Sequence, residues 1–226
     1  MRSEAAAALL LAAVAHLATT AVQAAVVEGR VSLRAPSVPA TPSAQRYPAG
    51  IAEQVEPPDA PAAIVSLEPE LPLDGSPNGA RAASSPARIA VAQKGLQFRP
   101  GILAVRVGTV VEFPNHDDTY HSVFSYSKPK RFDLGRYRKG EEPAALVFDT
   151  PGVVKLYCEI HQHMRGTVLV LETPWFAKTD PDGAFRIADV PAGHYVVRAW
   201  LDEETVWTRP LTVEEGARVF VELAPP

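Results

Sequence analysis

The chain of 226 residues has a single cysteine, Cys158, so it can form no internal disulfide. Methionine is almost as scarce, with only Met1 and Met164. No excess of basic charge is present either. The formal net charge is −4, which argues against a nucleic-acid partner. Beyond residue 24 no apolar run is long enough to cross a membrane as a helix. Amphipathic helical periodicity of usable length is missing. So are Gly-x-Ser-x-Gly, Gly-x4-Gly-Lys and His-Glu-x2-His, and with them the serine-hydrolase elbow, the P-loop and the zincin helix. What the chain does have is 46% apolar residues, enough for a core, and 22 prolines spread unevenly.

The first 24 residues read as an export signal. Arg2 supplies a positive start, Ala5 to Val14 an apolar stretch, and Val22-Gln23-Ala24 a small-residue cleavage site. His16, Thr19 and Thr20 interrupt the apolar stretch, which favours cleavage over anchoring. The expectation is a periplasmic or secreted protein with no transmembrane segment after cleavage. In an oxidising compartment a lone free thiol is a liability, so Cys158 calls for an explanation.

Residues 25–86 contain two strand-like pieces, Gly29 to Leu33 and Ala62 to Leu67. Eleven of the 22 prolines fall between residues 36 and 86, so 36–60 and 69–86 read as irregular linker. From Ala87 the character changes. Short apolar runs recur at 88–91, 103–107, 109–113, 122–126, 145–148, 153–157 and 167–171, with Gly, Pro and Asn between them. That spacing predicts a β-sandwich over 87–172. Within it, Lys128 to Lys139 carries six basic residues in twelve positions. It reads as a solvated loop, or as a docking surface for an acidic partner. Residues 173–226 form a further β unit. Its Asp180-x-Asp182-Gly183 is a turn rather than a calcium loop, because Lys178 stands where the first ligand belongs and position 189 is Asp, not Glu.

The most informative stretch is Tyr157-Cys158-Glu159-Ile160-His161-Gln162-His163-Met164. A thiolate, an imidazole and a thioether at Cys-x2-His-x2-Met spacing can converge from one tight turn. Strand-like runs on both sides make a rigid mount. His121 is the candidate for a fourth ligand. His121, Cys158 and His161 in a trigonal plane with Met164 as long axial ligand is the donor set of a type 1 copper electron-transfer site. His163 is a spare imidazole that could replace Met164 and make the site harder. His116, Asp117 and Asp118 read as a hydrated cluster able to hold a second metal weakly.

The ordered set Gly108-Thr-Val-Val-Glu-Phe-Pro-Asn115, His121-Ser-Val, Pro151-Gly152 and Tyr157-Cys-x2-His-x2-Met-x-Gly166 resembles the cupredoxins over residues 87–172. The two-residue gap between His161 and Met164 is closer to amicyanin than to plastocyanin. The resemblance implies a Greek-key β-sandwich and one type 1 copper. It also implies single-electron transport between redox partners rather than an enzyme, and an acidic partner is the one the Lys128 to Lys139 stretch would suit if it is a docking surface. His161 is implied as the exposed ligand through which the electron leaves. Ser122 stands where cupredoxins commonly place an Asn that ties the two ligand loops, and being shorter it implies a weaker tie. The tail, Thr179-Asp-x-Asp-Gly-x-Phe-x-Ile and then Val190-Pro-x-Gly-x-Tyr, is similar to carboxypeptidase regulatory-like (transthyretin-like) sandwiches. The opening half of that pattern sits at Gly29-Arg-Val31 and Ala62 to Leu67. Residues 26–34 and 62–68 are therefore expected to pair with the tail, the copper domain being inserted in, or followed by, this second and smaller β-sandwich. The whole layout resembles the secreted cupredoxin-like proteins called methylamine-utilisation proteins. A copper store or chaperone, or a β module stabilised by copper, are the competing functions.

Overall fold

The computed structural model describes residues 24–33, 55–71, 87–141 and 145–224. The expected export signal, all but Ala24, and most of the proline-rich linker lie outside the described residues. Within them the regular structure is all β.

The strands are β1 (Ala25–Val31), β2 (Ile64–Pro69), β3 (Arg88–Ala90), β4 (Ala92–Lys94), β5 (Gln97–Arg99), β6 (Ile102–Arg106), β7 (Thr109–Glu112), β8 (His121–Tyr126), β9 (Arg131–Tyr137), β10 (Ala145–Phe148), β11 (Gly152–Tyr157), β12 (Arg165–Leu171), β13 (Phe176–Lys178), β14 (Ala184–Val190), β15 (Gly193–Trp200), β16 (Val206–Val213) and β17 (Arg218–Leu223). They build two sandwiches. In the first, the sheet β10-β7-β3 and the hairpin β4-β5 face the five-stranded sheet β6-β12-β11-β8-β9. The inward residues Val111, Phe113, Phe148, Val105, Val154, Leu156, Val168 and Val170 meet in one core. Strands such as β6 and β11 alternate buried and half-buried positions, as the period of two requires when one face is packed.

The second sandwich pairs the sheet β14-β1-β17 with the sheet β13-β2-β15-β16 around Val27, Val65, Leu67, Trp175, Tyr195 and Val197. β1 lies antiparallel to β14 and parallel to β17, and β2 lies between β13 and β15. Both early strands are thus hydrogen-bonded to the tail. Gly29 is where β1 comes closest: a Cβ there would stand 1.9 Å from the Val221 carbonyl oxygen. β2 is buried on both faces because Val65 and Leu67 enter its own core while Ile64 faces the first sandwich. There Ile64, Trp200 and Leu169 form a seam with Ile102, Ala104, Val153 and Val206. The seam fixes one sandwich against the outer face of the other.

Two expectations need correction. The basic stretch 128–139 is not a loop over most of its length. Arg131–Tyr137 is β9, an edge strand paired with β8, and Gly135 at φ 69 breaks its alternation. Its cations are largely partnered: Lys130 with Asp149, Arg136 with Glu159 and Lys139 with Asp118, while Arg131 and Arg138 lie over the Tyr126 and Tyr120 rings. The segment 55–60 has no regular structure, as expected, yet it is strapped to the first sandwich. Glu56 N–H donates to Gly95 O at 2.9 Å, Gly101 N–H donates to Asp59 Oδ2 at 2.7 Å, and Arg99 pairs with Asp59.

A candidate metal centre

The loop 158–164 joins β11 to β12, whose register closes with Tyr157 opposite Arg165. Cys158 follows the last residue of β11 and Met164 precedes the first of β12, so rigid strands set both sulfur-bearing residues. Met164 N–H donates to His161 O at 2.8 Å and closes the turn. His121 opens β8, which neighbours β11 in the same sheet. Two adjacent strands therefore deliver the donors to one end of the sandwich.

There His121, Cys158 and His161 form a group of potential ligands, all within 4.8 Å of one another. His121 Nδ1 and His161 Nδ1 are 3.0 Å apart, and Cys158 Sγ lies 4.0 Å and 3.9 Å from them. A point in the plane of these three atoms is about 2.1 Å from each, the length of a transition-metal bond to imidazole and close to that to thiolate. The triangle thus fits an ion of that size without rearrangement. Its donors are nitrogen and sulfur with no carboxylate among them, which suits copper and excludes calcium or magnesium. Met164 is fully buried in the same core as Cys158.

Burial opposes ionisation of Cys158, but hydrogen bonds from His121 and His161 and the N–H groups nearby outweigh it and bring the thiol down from 9.0 to about 5. The sulfur is therefore a thiolate at neutral pH, the form that binds metal. For His121, burial disfavours the charged ring, yet Cys158 and Asp117 raise its pKa above 6.5.

The supports around the donors are specific. Ser122 Oγ accepts the Glu159 N–H at 2.8 Å, and its hydroxyl faces Cys158 Sγ at 3.9 Å, so the short side chain does tie the two ligand loops. Asn115 Nδ2 donates to the carbonyls of Thr119 and Tyr137 at 2.9 and 3.0 Å, and its Oδ1 accepts the Asp117 N–H at 2.9 Å. This braces the turn leading to His121. Asp117 does not sit in a hydrated cluster. Its Oδ2 is 2.8 Å from His121 Nε2, while Asp118 points outward to Lys139. Among the described residues the histidine–cysteine triangle is the one such group of three. His163 has its Nε2 2.9 Å from Leu96 O, turned to the β4-β5 hairpin. His161 is not broadly exposed: it is 5% accessible, against 0% for His121 and 4% for Cys158. Ile160 and Tyr120 beside it are open to solvent and, with Arg136, line a shallow depression of 490 Å³.

Sequence reasoning missed Asp117 as a support, together with the whole β4-β5 hairpin. One signal for Asp117 was present: a carboxylate four residues before a candidate ligand histidine.

No family model matches the chain, and no curated protein does. Among solved structures it is similar to a copper-containing nitrite reductase from Thermus scotoductus SA-01, at 31% identity, TM-score 0.37, over 45% of this chain and 27% of that one. It is similar to a reduced variant of amicyanin at 23% identity, TM-score 0.35, over 47% of this chain and 98% of that one. A purple cupredoxin from Nitrosopumilus maritimus is similar at 27% identity, TM-score 0.33, over 38% of this chain and 99% of that one. The chain thus spans about a quarter of the nitrite reductase it matches. With every TM-score below 0.5, these likenesses are too weak to assign a function.

Proposed function

We propose that the cupredoxin-like sandwich of residues 87–172 is a type 1 copper domain that carries single electrons between redox partners in the periplasm, and that the chain is not an enzyme. The observation that supports this most is the metal-sized triangle of His121 Nδ1, His161 Nδ1 and Cys158 Sγ, with Met164 buried in the same core as Cys158. Copper held there would alternate between +1, which favours sulfur, and +2, which favours imidazole.

The residues serve such a cycle by staying still. Cys158 and His121 are mounted on neighbouring strands, and Ser122 pins the loop between Cys158 and His161. Packing around Met164 and Cys158 keeps water out. Donors that do not move between two states keep reorganisation small. Electron exchange is expected at the Ile160–Tyr120 surface, which Ile160 joins directly to His161 along the chain. The second sandwich, β1 and β2 included, is proposed as a scaffold or binding module.

The test is the absorption spectrum of the copper-loaded protein, followed by voltammetry. An intense visible thiolate-to-copper band and a reversible one-electron wave with full copper retention are expected. A colourless Cu(II) complex would refute the type 1 assignment, and loss of copper at each reduction would favour a store.

A further inference from the structure

The β4-β5 hairpin turns on Gly95 and Leu96, both with positive φ (62° and 57°). That is the two-residue turn whose twist matches paired strands. A leucine in the left-handed region is uncommon and persists only where its surroundings hold it. Here both amides of the turn are held by one side chain. Gly95 N–H donates to Asp117 Oδ1 at 2.8 Å and Leu96 N–H to Asp117 Oδ2 at 3.0 Å. The same Oδ2 receives His121 Nε2 at 2.8 Å. Asp117 is only 16% exposed at its side chain. On the other side of the turn, Leu96 O faces His163 Nε2, two residues beyond His161. One hairpin thus touches both ligand loops.

This arrangement has a chemical consequence. A carboxylate that already accepts two amides has no proton to donate, so the hydrogen between it and His121 belongs to Nε2. Nδ1, which faces His161 Nδ1 at 3.0 Å and Cys158 Sγ at 4.0 Å, is then the ring atom presented to the centre of the triangle. A carboxylate behind an imidazole also makes it a stronger donor. We propose that Asp117 is a positioning residue that sets the tautomer and donor strength of His121, and that the Gly95–Leu96 turn exists to hold Asp117 in that task. The inference rests on the copper reading above. It adds that the potential is held down by one carboxylate outside the ligand set, because extra donor strength favours Cu(II) over Cu(I).

The experiment uses the full chain with Asp117→Asn and, as control, Asp118→Asn, which removes the same charge one position away on a side chain 92% exposed. Copper affinity by chelator competition, the midpoint potential, and proton–nitrogen NMR of the histidines in the Cu(I) and metal-free states are read. Asp117→Asn is expected to weaken Cu(II) by about 10–100-fold, the usual loss for such a support. Cu(I) should suffer less, so the potential rises. Each tenfold excess loss of Cu(II) reads as about 59 mV. Asp118→Asn should leave the potential in place. Unchanged affinity and potential in Asp117→Asn, or equal shifts in both variants, would overturn the proposal while wild type remains a type 1 protein. If Asp117→Asn does not fold, wild type decides: a strongly hydrogen-bonded His121 Nε2–H supports the inference, and a bare Nε2 overturns it. The metal-free spectrum gives that answer even if wild type shows no thiolate–copper band, so the two readings fail separately.

Discussion

The two sandwiches differ in what they bury. In the second, the buried polar residues are small hydroxyls, Ser66, Thr173 and Thr179, and the two threonines serve the backbone: Thr179 Oγ1 accepts the Ala63 N–H and Thr173 Oγ1 the Trp175 N–H. The rest of its core is aliphatic and aromatic. The first sandwich buries Gln93, Asn115, His121, Ser122 and His161, and these bond to one another's loops. Gln93 Nε2 donates to Tyr137 Oη at 2.7 Å, and the Tyr137 hydroxyl donates to Phe113 O at 2.6 Å. Desolvating so many polar groups costs stability unless each is satisfied, and an apolar core would hold the fold as well. The difference teaches where stability was given up. One sandwich is built to stay folded, the other to keep a few donors in fixed places.

The sharpest way to break the contrast is to remove the central donor. Cys158→Ser should abolish the thiolate–copper band completely and leave both sandwiches folded by circular dichroism. Loss of folding would show that the site is part of the first core rather than set into it. Next in size is an injury to the other side. Leu67→Ala, at a fully buried position of β2, should cost about 2–5 kcal/mol in urea unfolding. The copper band should keep its position and intensity. A shifted band would mean that the seam carries strain from one sandwich to the other.

A smaller effect belongs to the metal-free protein. The folded thiol titrates at about 5 and the unfolded one at 9.0, so between these values the unfolded state binds the extra proton and stability rises with pH. His121 works in the opposite sense, since its folded pKa is raised: its contribution is present below 6.5 and fades as pH climbs through the folded value. Stability of the metal-free protein should therefore rise between about pH 5 and 6.5, and above that the loss of the His121 proton offsets part of the further gain from the thiol. Copper loading should extend the rise below pH 5, because the native thiolate then takes up no proton there while the unfolded thiol still does. A metal-free protein whose urea midpoint is flat over that window would contradict the assignment. The smallest effect is expected at the surface. Exchange with an acidic redox partner should slow as salt increases, but only gently, because Glu159, Asp118 and Asp149 already pair with the cations of β9 and its flanks. A steep dependence would show that the partner displaces those acids.

The grouping of His121, Cys158 and His161 was legible because much of its spacing is local. Cys-x2-His-x2-Met between two strands leaves a turn few options, and His121 opens a run that reads as a strand. The strands of 87–172 were legible through their alternation. β9 was not, because Gly135 shifts the phase and cations occupy its outward positions. The β4-β5 hairpin was hidden for a different reason. Its turn contains a leucine where local rules ask for Gly or Asn, and it is held from outside by Asp117 and Glu56. A turn secured by partners twenty and forty residues away leaves no local mark. Asp117 shared that fate, since its role exists only once the hairpin is in place.

The chain order has a consequence in time. β1 is the first described strand and pairs with β17, the last, so the second sandwich cannot close until nearly the whole chain is present. The first sandwich needs only a continuous middle stretch. Contacts between distant residues form late, so the half that holds the donors is expected to assemble ahead of the half that supports it. The molecule carries its own clock for this. All three tryptophans, Trp175, Trp200 and Trp207, lie in the second sandwich or on the seam, and the lone thiolate lies in the first. During refolding, fluorescence and colour would time the two halves separately without any label being added.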